Sequence, residues 1–203
     1  MSQLTQNSHL IYDKINKAYQ MIGIIKRNFK DLDKFSFLLI YKSLVRSHLE
    51  YANAIWNPYR VAVIADIEKV QKRATKLVKG LRNMTYRERL INLQLPTLKF
   101  RRVRGDMIEV YKILSHKYDE QVCPGLNKSE YTSTRGHSLK LKTERAKYDL
   151  WKYSFTSRIV TIWNSLPNSM VCSESVNNFK NQLDALWRNI DLFYNYEAKL
   201  PGS

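Results

Sequence analysis

The sequence predicts a mainly α-helical protein, in which a helical bundle is followed by a small α-rich subdomain with at most one or two short strands. Three observations predict this fold class. Apolar residues recur at steps of three and four through most of the first 118 residues. Proline, glycine and capping residues separate these segments at helix length. The apolar content is 44% of 203 residues, which is enough to build a core.

The first predicted helix covers residues 8–30. Its apolar residues alternate in steps of four and three, which is typical of an amphipathic helix with one face in a core. This stripe consists of Ile11, Ile15, Ala18, Ile22, Ile25 and Phe29. Lys26 and Arg27 fall off the stripe, so the end of this helix is predicted to be cationic.

The second predicted helix runs from about residue 35 to residue 56, after a cap at Asp31 or Asp33. Apolar side chains cover most of its circumference, which predicts a central and buried helix. These side chains are Phe35, Phe37, Leu38, Tyr41, Leu44, Val45, Leu49, Ala52, Ile55 and Trp56. Asn57 and Pro58 end the helix.

The third predicted helix, residues 63–79, has two chemically different faces and ends at Gly80. Its apolar stripe is Val63, Ile64, Ile67, Val70, Ala74, Leu77 and Val78. Roughly opposite lie Lys69, Lys72, Arg73, Lys76 and Lys79. The acids Asp66 and Glu68 lie in its first turns, where the helix dipole favours them. The cationic rows extend for about 15 Å, long enough to follow several phosphates. The alternative is a solvated face with cations suited to a helix C-terminus.

A capping-box pattern at Thr85 and Glu88 opens a short predicted helix that ends near Leu93. Thr97 caps the next helix, which is predicted to reach residue 117. The apolar side of that helix is Phe100, Val103, Met107, Val110, Tyr111 and Leu114. Arg101 and Arg102 are expected to lie off this side.

The helical pattern stops at residues 119–136, where turn-forming residues predict a linker. The predicted domains are therefore a basic helical domain, 1–118, and a tail subdomain, 137–203. Alternation at 137–142 predicts a short strand in the tail. Two helices follow, 154–164 and 175–188, the second with Val176, Phe179, Leu183 and Leu186 inward. The aromatic cluster at 148–155 favours a core over a base-stacking surface.

Positive charge is concentrated in the predicted basic domain. The chain has 34 Lys and Arg against 18 Asp and Glu, and residues 1–118 hold 23 basic and 9 acidic side chains, a net charge of +14. Repulsion of this size weakens a small domain unless a polyanion or salt screens it, so an acidic partner is expected. Nucleic acid, anionic membrane and acidic protein are the candidates. The stripe of 63–79 lacks Trp and Phe, which disfavours the membrane.

Other classes of protein lack support in the sequence. No apolar run approaches the length of about 20 residues that a membrane span needs, and the first residues lack the order of a secretory signal. Cys123 and Cys172 have no metal-binding spacing, so an intracellular location, nuclear or cytoplasmic, is expected.

The search for reactive sites predicts no catalytic residue, metal, cofactor or small-molecule ligand. The four histidines are far apart, and there is no glycine-rich phosphate loop. Asp31 and Asp33 are expected to cap a helix rather than hold metal ions. A Ser/His/Asp triad assembled by the fold is left open by the sequence.

Several motifs follow one another in a recognisable order. They are MIGIIKRNF at 21–29, YKSLVRSHLEYANAIWNP at 41–58, IEKVQKRATK at 67–76, RERL at 87–90, LP at 95–96, RRVRGDMI at 101–108, TRGH at 134–137 and WNSLP at 163–167. Together they resemble the C-terminal part of LINE-type, jockey-like non-LTR retrotransposon reverse transcriptases. The resemblance covers nearly the whole chain and implies a thumb, the helical domain that holds the template–primer duplex against the palm, followed by a post-thumb tail.

The resemblance also implies which residues would contact the nucleic-acid backbone. Lys69, Lys72, Arg73 and Lys76 are the foremost candidates, and Lys26 and Arg27 come second. Lys79, Arg101 and Arg102 complete the predicted set. The palm motif Tyr-Ala-Asp-Asp, which carries the metal-binding aspartates in that family, is absent from this sequence. The expectation is therefore a non-catalytic module that binds a duplex or an RNA/DNA hybrid.

The alternative function is a protein-interaction module that docks on a polymerase palm in trans or on a second copy of itself. An apolar face left bare by the missing palm would carry that contact. Ile11, Ile15, Ile22 and Ile25 are the candidate residues, although such a stripe usually faces a core.

Overall fold

A computed structural model describes residues 3–119, 121, 123–129, 137–143 and 148–199. Over this part of the chain the regular structure is helical, and extended backbone pairs only in isolated bridges, Leu32 with Val78 and Lys128 with Leu141. The predicted fold class, mainly α, is confirmed. The α-helices are α1 Gln3–Asn28, α2 Lys34–Ile40, α3 Ser47–Glu50, α4 Asn53–Trp56, α5 Val61–Ala74, α6 Tyr86–Leu93, α7 Leu98–Leu114, α8 Asp149–Lys152, α9 Phe155–Arg158, α10 Val160–Asn164, α11 Asn168–Val171 and α12 Val176–Leu186.

The chain forms two compact units. Unit 1 consists of Met1–Arg102 together with Tyr194–Tyr196, and unit 2 consists of Val103–Phe193 together with Glu197–Ser203. The division falls inside α7, whereas the sequence placed a linker at 119–136. Residues 120, 122 and 130–136 of that linker lie outside the described residues. The predicted domain boundaries therefore stay a prediction.

Helix α1 buries the predicted stripe, because Ile11, Ile15, Ala18, Ile22 and Ile25 all lie in the core of unit 1. The helix ends at Asn28, whose side-chain Nδ2 donates to the carbonyl of Ile24 at 2.9 Å. Phe29 was assigned to the stripe and is exposed instead, since it lies beyond the end of the helix. These contacts set α1 against the helices that follow it.

The predicted second helix is not one central, buried helix. It is interrupted by a π-helical segment, Tyr41–Arg46, and by a break at Ala52, whose φ of 55° is left-handed. One face is buried, through Phe37, Tyr41, Val45, Leu49 and Trp56. The opposite face is exposed, through Phe35, Leu39, Leu44, Tyr51 and Ile55, and Phe35 keeps 72% of its surface in solvent.

The π-helical segment explains the buried face. Phe37, Tyr41, Val45 and Leu49 are four residues apart, and in an ideal α-helix such a row drifts by about 40° at each step. The wider π turn reduces this drift, so the row stays on the side that contacts α1. A helical wheel drawn from the sequence assumes constant geometry and could not show which side has neighbours.

Helix α5 begins at Val61 and is followed by a 3₁₀ turn, Thr75–Leu77. The predicted stripe is buried at Val63, Ile67, Val70, Ala74 and Val78, while Ile64 and Leu77 are half-buried. Val78 is extended and forms the bridge with Leu32, so the helix stops before Lys79. Gly80 follows with a φ of 80°, which agrees with its predicted role in ending the segment.

Helices α6 and α7 begin where the sequence predicted. Thr85 and Glu88 form the complete capping box of α6, and the Thr97 hydroxyl accepts from the amide of Phe100 at 3.1 Å. Both helices end in a left-handed residue, Gln94 for α6 and His116 for α7. At the end of α7 the amide of Lys117 donates to the carbonyl of Lys112. This termination explains why α7 stops at Leu114 rather than at 117.

Unit 2 packs around an aromatic core. The ring of Tyr111 is stacked on Phe179 with centroids 4.5 Å apart, and Trp163 lies 6.0 Å from Phe179. Phe179 and Leu183 are buried as predicted, whereas Leu186 is exposed and Val176 half-buried. The predicted helix at 154–164 is divided into α9 and α10, and the predicted helix at 175–188 corresponds to α12.

The strand predicted at 137–142 is wrong, because only Leu141 forms a bridge. Its backbone pairs with residues 127–129 through two hydrogen bonds, from the amide of Ser129 to the carbonyl of Lys140 and from the amide of Lys142 to the carbonyl of Asn127, both at 2.8 Å. The side chain of Asn164 also accepts from the amide of Leu141 and donates to the carbonyl of Leu141, both at 2.9 Å. Trp163 Nε1 also donates to the carbonyl of Leu139. The segment is therefore held by this short backbone pairing and by side chains of the WNSLP motif.

The core prediction for the aromatic cluster at 148–155 is wrong for two of its members. Tyr148 is 72% exposed and Trp151 is 65% exposed. Tyr153 and Phe155 are half-buried. The described rings of this cluster are thus exposed or half-buried, and none of them is a buried core side chain.

Candidate nucleic-acid interface

The outer face of α5 and of its 3₁₀ extension carries four of the predicted cations. Lys69, Arg73 and Lys76 are exposed, and Lys72 is half-buried. They lie at steps of three, one and three along one side of the helix, opposite the buried stripe. This arrangement brings four positive side chains to one surface of unit 1, which we call the cationic face.

The carboxylate of Asp66 neutralises part of the charge of the cationic face. Lys69 Nζ lies 2.7 Å from Asp66 Oδ1, and this hydrogen bond raises the pKa of Lys69. Among the described residues, Lys72, Arg73 and Lys76 have no carboxylate within ion-pair distance. Exposed ion pairs exchange readily with solvent, so a phosphate can compete with Asp66 for Lys69.

Tyrosine rings lie beside two of the cations. The guanidinium of Arg73 lies 5.6 Å from the ring centre of Tyr19, and Lys72 Nζ lies 5.4 Å from the ring of Tyr86 and 5.9 Å from the ring of Tyr196. A cation–π contact holds a long side chain without removing its charge. The rings therefore restrict where these cations point, while the side chains keep their positive charge.

The inner face of α5 carries a polar network that sequence reasoning missed. Glu68 Oε2 accepts from the hydroxyl of Tyr86 at 2.8 Å, and Glu68 Oε1 accepts from the backbone amide of Lys99 at 2.8 Å. Gln71 Nε2 donates to the Tyr86 hydroxyl at 3.1 Å and to the carbonyl of Pro96 at 3.0 Å. The hydroxyl of Tyr41 donates to Gln71 Oε1.

Burial governs the protonation of this network. It raises the pKa of Glu68, against the smaller lowering effect of the Arg102 charge. It also raises the pKa of Tyr41 and of Tyr86. Glu68, Gln71 and Thr75 recur at steps of three and four beside the apolar stripe, and that periodicity was the available signal of their burial.

Arg89 lies beneath the cationic face, where it binds residues at the end of α5. It is buried, its Nε donates to the Thr75 hydroxyl at 3.0 Å, and its Nη2 donates to the carbonyl of Lys72 at 3.3 Å. A further bond reaches the carbonyl of Met84. A guanidinium at this position satisfies carbonyls at the end of α5 and suits the negative end of the helix dipole.

The remaining predicted residues divide into accessible and inaccessible ones. Lys26 and Arg27 are exposed in the last turn of α1. Lys79 is exposed and lies 3.7 Å from Asp31, in a pair that is open to solvent on both sides. These three side chains can reach a ligand.

Arg101 and Arg102 do not suit the predicted role. Arg101 forms a two-pronged ion pair with Glu50, in which Nη2 lies 2.9 Å from Oε2. Arg102 occupies a helical position off the apolar side of α7 but is only 3% exposed. Leu98 and Phe100 are buried as well, so apolar and polar positions are both covered at the beginning of α7.

Of the two aspartates that the sequence offered as a cap, Asp33 caps α2, and Asp31 lies near Lys79 instead. Asp33 Oδ1 accepts from the amide of Ser36 at 2.9 Å, and its other oxygen accepts from the Ser36 hydroxyl. Within the described ranges, no group of three or more His, Cys, Asp or Glu side chains could hold a metal ion. None of the helices in this part of the chain has the length and hydropathy that a membrane crossing needs.

Comparisons with known proteins identified no relative of this chain. The sequence matches no protein-family model, and no curated protein or solved structure is similar to it at a significant level.

Proposed function

We propose that unit 1 binds the backbone of a nucleic-acid duplex or RNA/DNA hybrid through the cationic face. The observation that carries the proposal is that α5 and its 3₁₀ extension have two different faces. Their apolar and hydrogen-bonded polar side chains point inward, and four cations point outward. Three of these cations lack a carboxylate partner in the described structure. Lys26, Arg27 and Lys79 supply secondary contacts.

Binding through these residues depends on phosphate charge. Each Lys or Arg that neutralises a phosphate releases condensed counterions, so affinity falls as salt rises. Four contacts to a DNA duplex correspond to a slope of about −3.6 in a plot of log K against log salt concentration. Contacts to phosphates carry no sequence information, so discrimination between base sequences is expected to be small.

The resemblance to retrotransposon reverse transcriptases supports the assignment of nucleic-acid binding to this surface. In that family the thumb holds the template–primer duplex, and the matching motif at 67–76 includes the four cations of the cationic face. The proposed role of this chain is a non-catalytic, thumb-like module of an RNA-directed DNA polymerase. Chemistry would require a palm from another polypeptide or segment.

The decisive experiment is charge reversal on the cationic face. We expect the combination of Lys69→Glu, Lys72→Glu, Arg73→Glu and Lys76→Glu to remove binding to a fluorescein-labelled hybrid, measured by anisotropy. Wild-type protein should bind, and its affinity should fall steeply between low and high salt.

A matched control separates this face from net charge. Lys128, Lys142, Lys152 and Arg188 are exposed cations of unit 2, and their combined change to Glu alters the charge equally. This control should retain most of the affinity. If the face variant keeps its circular dichroism spectrum and still binds as tightly as the control, the proposal is wrong.

The second candidate function is protein interaction, and exposed apolar side chains favour it. The four isoleucines first considered for docking are buried in α1, so that version is wrong. Phe35 and Leu39, one turn apart on α2, are exposed instead. If they form an interface with a second copy, sedimentation velocity should show a dimer that Phe35→Ser with Leu39→Ser abolishes. A palm supplied in trans would be detected by co-purification with the wild-type chain alone.

A further inference from the structure

Residues Tyr194–Tyr196 form a short strap that belongs to unit 1, although the residues on both sides of it belong to unit 2. Tyr194 packs against the hydrophobic core of unit 1. Tyr196 is half-buried and its ring lies 5.9 Å from Lys72 Nζ. The strap therefore places a tyrosine from a distant part of the sequence on the cationic face.

Lys72 lies beside two tyrosine rings that are anchored in different ways. The ring of Tyr86 is fixed in place, because its hydroxyl donates to Glu68 and accepts from Gln71 on the inner face of α5. The ring of Tyr196 is carried by the strap. Lys72 is the half-buried member of the cationic face, whereas Lys69, Arg73 and Lys76 are exposed. The strap thus covers a side chain in the middle of the surface that would contact phosphates.

We propose that the strap is an autoinhibitory contact, in which Tyr196 competes with a nucleic-acid phosphate for Lys72. This inference depends on the proposed function of the cationic face. An ammonium group that faces two rings offers fewer of its N–H bonds to an incoming phosphate oxygen. Binding of nucleic acid at Lys72 displaces the Tyr196 ring while Tyr86 stays in place.

The test compares ring removal with ring retention in anisotropy titrations with an RNA/DNA hybrid at fixed salt. Tyr196→Ala should bind about two- to five-fold more tightly than wild type, because it removes a cation–π interaction of ordinary strength. Tyr196→Phe keeps the ring and should bind like wild type. In a Lys72→Ala background, Tyr196→Ala should change nothing, because no ammonium group is then present at position 72 for the ring to cover.

Tyr194→Ala provides a second route to the same state, since it removes the side chain that attaches the strap to the core. It should give a similar gain in affinity, with folding checked by circular dichroism. Equal or weaker binding by both folded variants would overturn the proposal, and weaker binding would identify Tyr196 as a contact for nucleic acid.

Two further outcomes are decisive. A gain that persists in the Lys72→Ala background would overturn the assigned target. If only the strap proposal is wrong, wild-type protein still binds nucleic acid in a salt-sensitive way. If neither wild type nor any strap variant binds, the proposed function and the strap proposal are both wrong.

Discussion

At the scale of single residues, Glu68 is the side chain whose environment differs most from what its sequence position suggests. It lies in the middle of α5, whereas the predicted helix 63–79 placed it in the first turns, where an acid is expected to be exposed and to interact with the helix dipole. It is instead buried, between the hydroxyl of Tyr86 and the amide of Lys99. Its burial raises its pKa, so the folded protein holds this proton more tightly than the unfolded chain does.

This difference in proton affinity predicts a pH dependence of stability. As pH rises from the ordinary carboxyl value of 4.5 through the raised pKa of Glu68, the folded state must lose a proton that it holds tightly. The contribution of Glu68 to the free energy of unfolding should therefore fall, by at most about 1.4 kcal/mol per pH unit.

Glu68→Gln removes this titration. The difference in the free energy of unfolding, variant minus wild type, should increase over that pH range and then level off, as measured by urea denaturation at a series of pH values. Asp66→Asn, an exchange at a less buried acid of the same helix, serves as the control. A difference that is constant with pH, or that decreases, would contradict the prediction.

At the scale of secondary-structure elements, local signals predicted the helices well where the signal concerned a single segment. The stripe of α1 follows from its periodicity, because a helix in a bundle must bury one apolar face. The capping box of α6 follows from Thr85 and Glu88. The break at Ala52 and the π-helical segment could not be predicted, because they depend on how neighbouring helices pack.

The cap of α6 permits a quantitative prediction. Thr85→Ala should lower the free energy of unfolding by about 1 kcal/mol, because the amide of Glu88 loses its acceptor at the start of the helix. Thr85→Ser retains the hydroxyl and should be close to wild type. Urea denaturation of the three proteins measures the difference, and equal stability of Ala and Ser variants would show that the cap contributes nothing.

The polar network under α5 illustrates what a sequence does not disclose about a site. Tyr41, Gln71, Tyr86 and Pro96 lie on four segments that are far apart in the chain. No pattern within one segment indicates that they meet, because the contact depends on how four separate segments pack. The outward cations of α5 were predictable, because they follow from helix periodicity alone.

At the scale of the whole molecule, many acids are already engaged with arginines. Glu50 pairs with Arg101 in unit 1, and within unit 2 Asp184 pairs with Arg104 and Asp106 with Arg158. These pairs join helices internally and leave other cations on the surface. Since the chain has a net charge of +16, an anionic ligand should stabilise the fold.

Ligand-linked stability provides a measurement that is independent of direct binding. An RNA/DNA hybrid present at about 100 times its dissociation constant should raise the free energy of unfolding by about 2.7 kcal/mol. Thermal denaturation followed by circular dichroism would show this as a higher melting temperature. The variant with four glutamates on the cationic face should show no such increase, and an equal increase in that variant would place the binding site elsewhere.

The alternation of Gln71 and Lys72 on α5 has a consequence for mutagenesis. One points into a hydrogen-bonded interior and the next faces outward between two tyrosines. A random library should consequently yield two kinds of α5 variants that fail to bind: insoluble proteins with changes at 68, 71 or 75, and well-behaved proteins with changes at 69, 72, 73 or 76. Sorting the library by solubility before assaying it would separate damage to folding from damage to recognition.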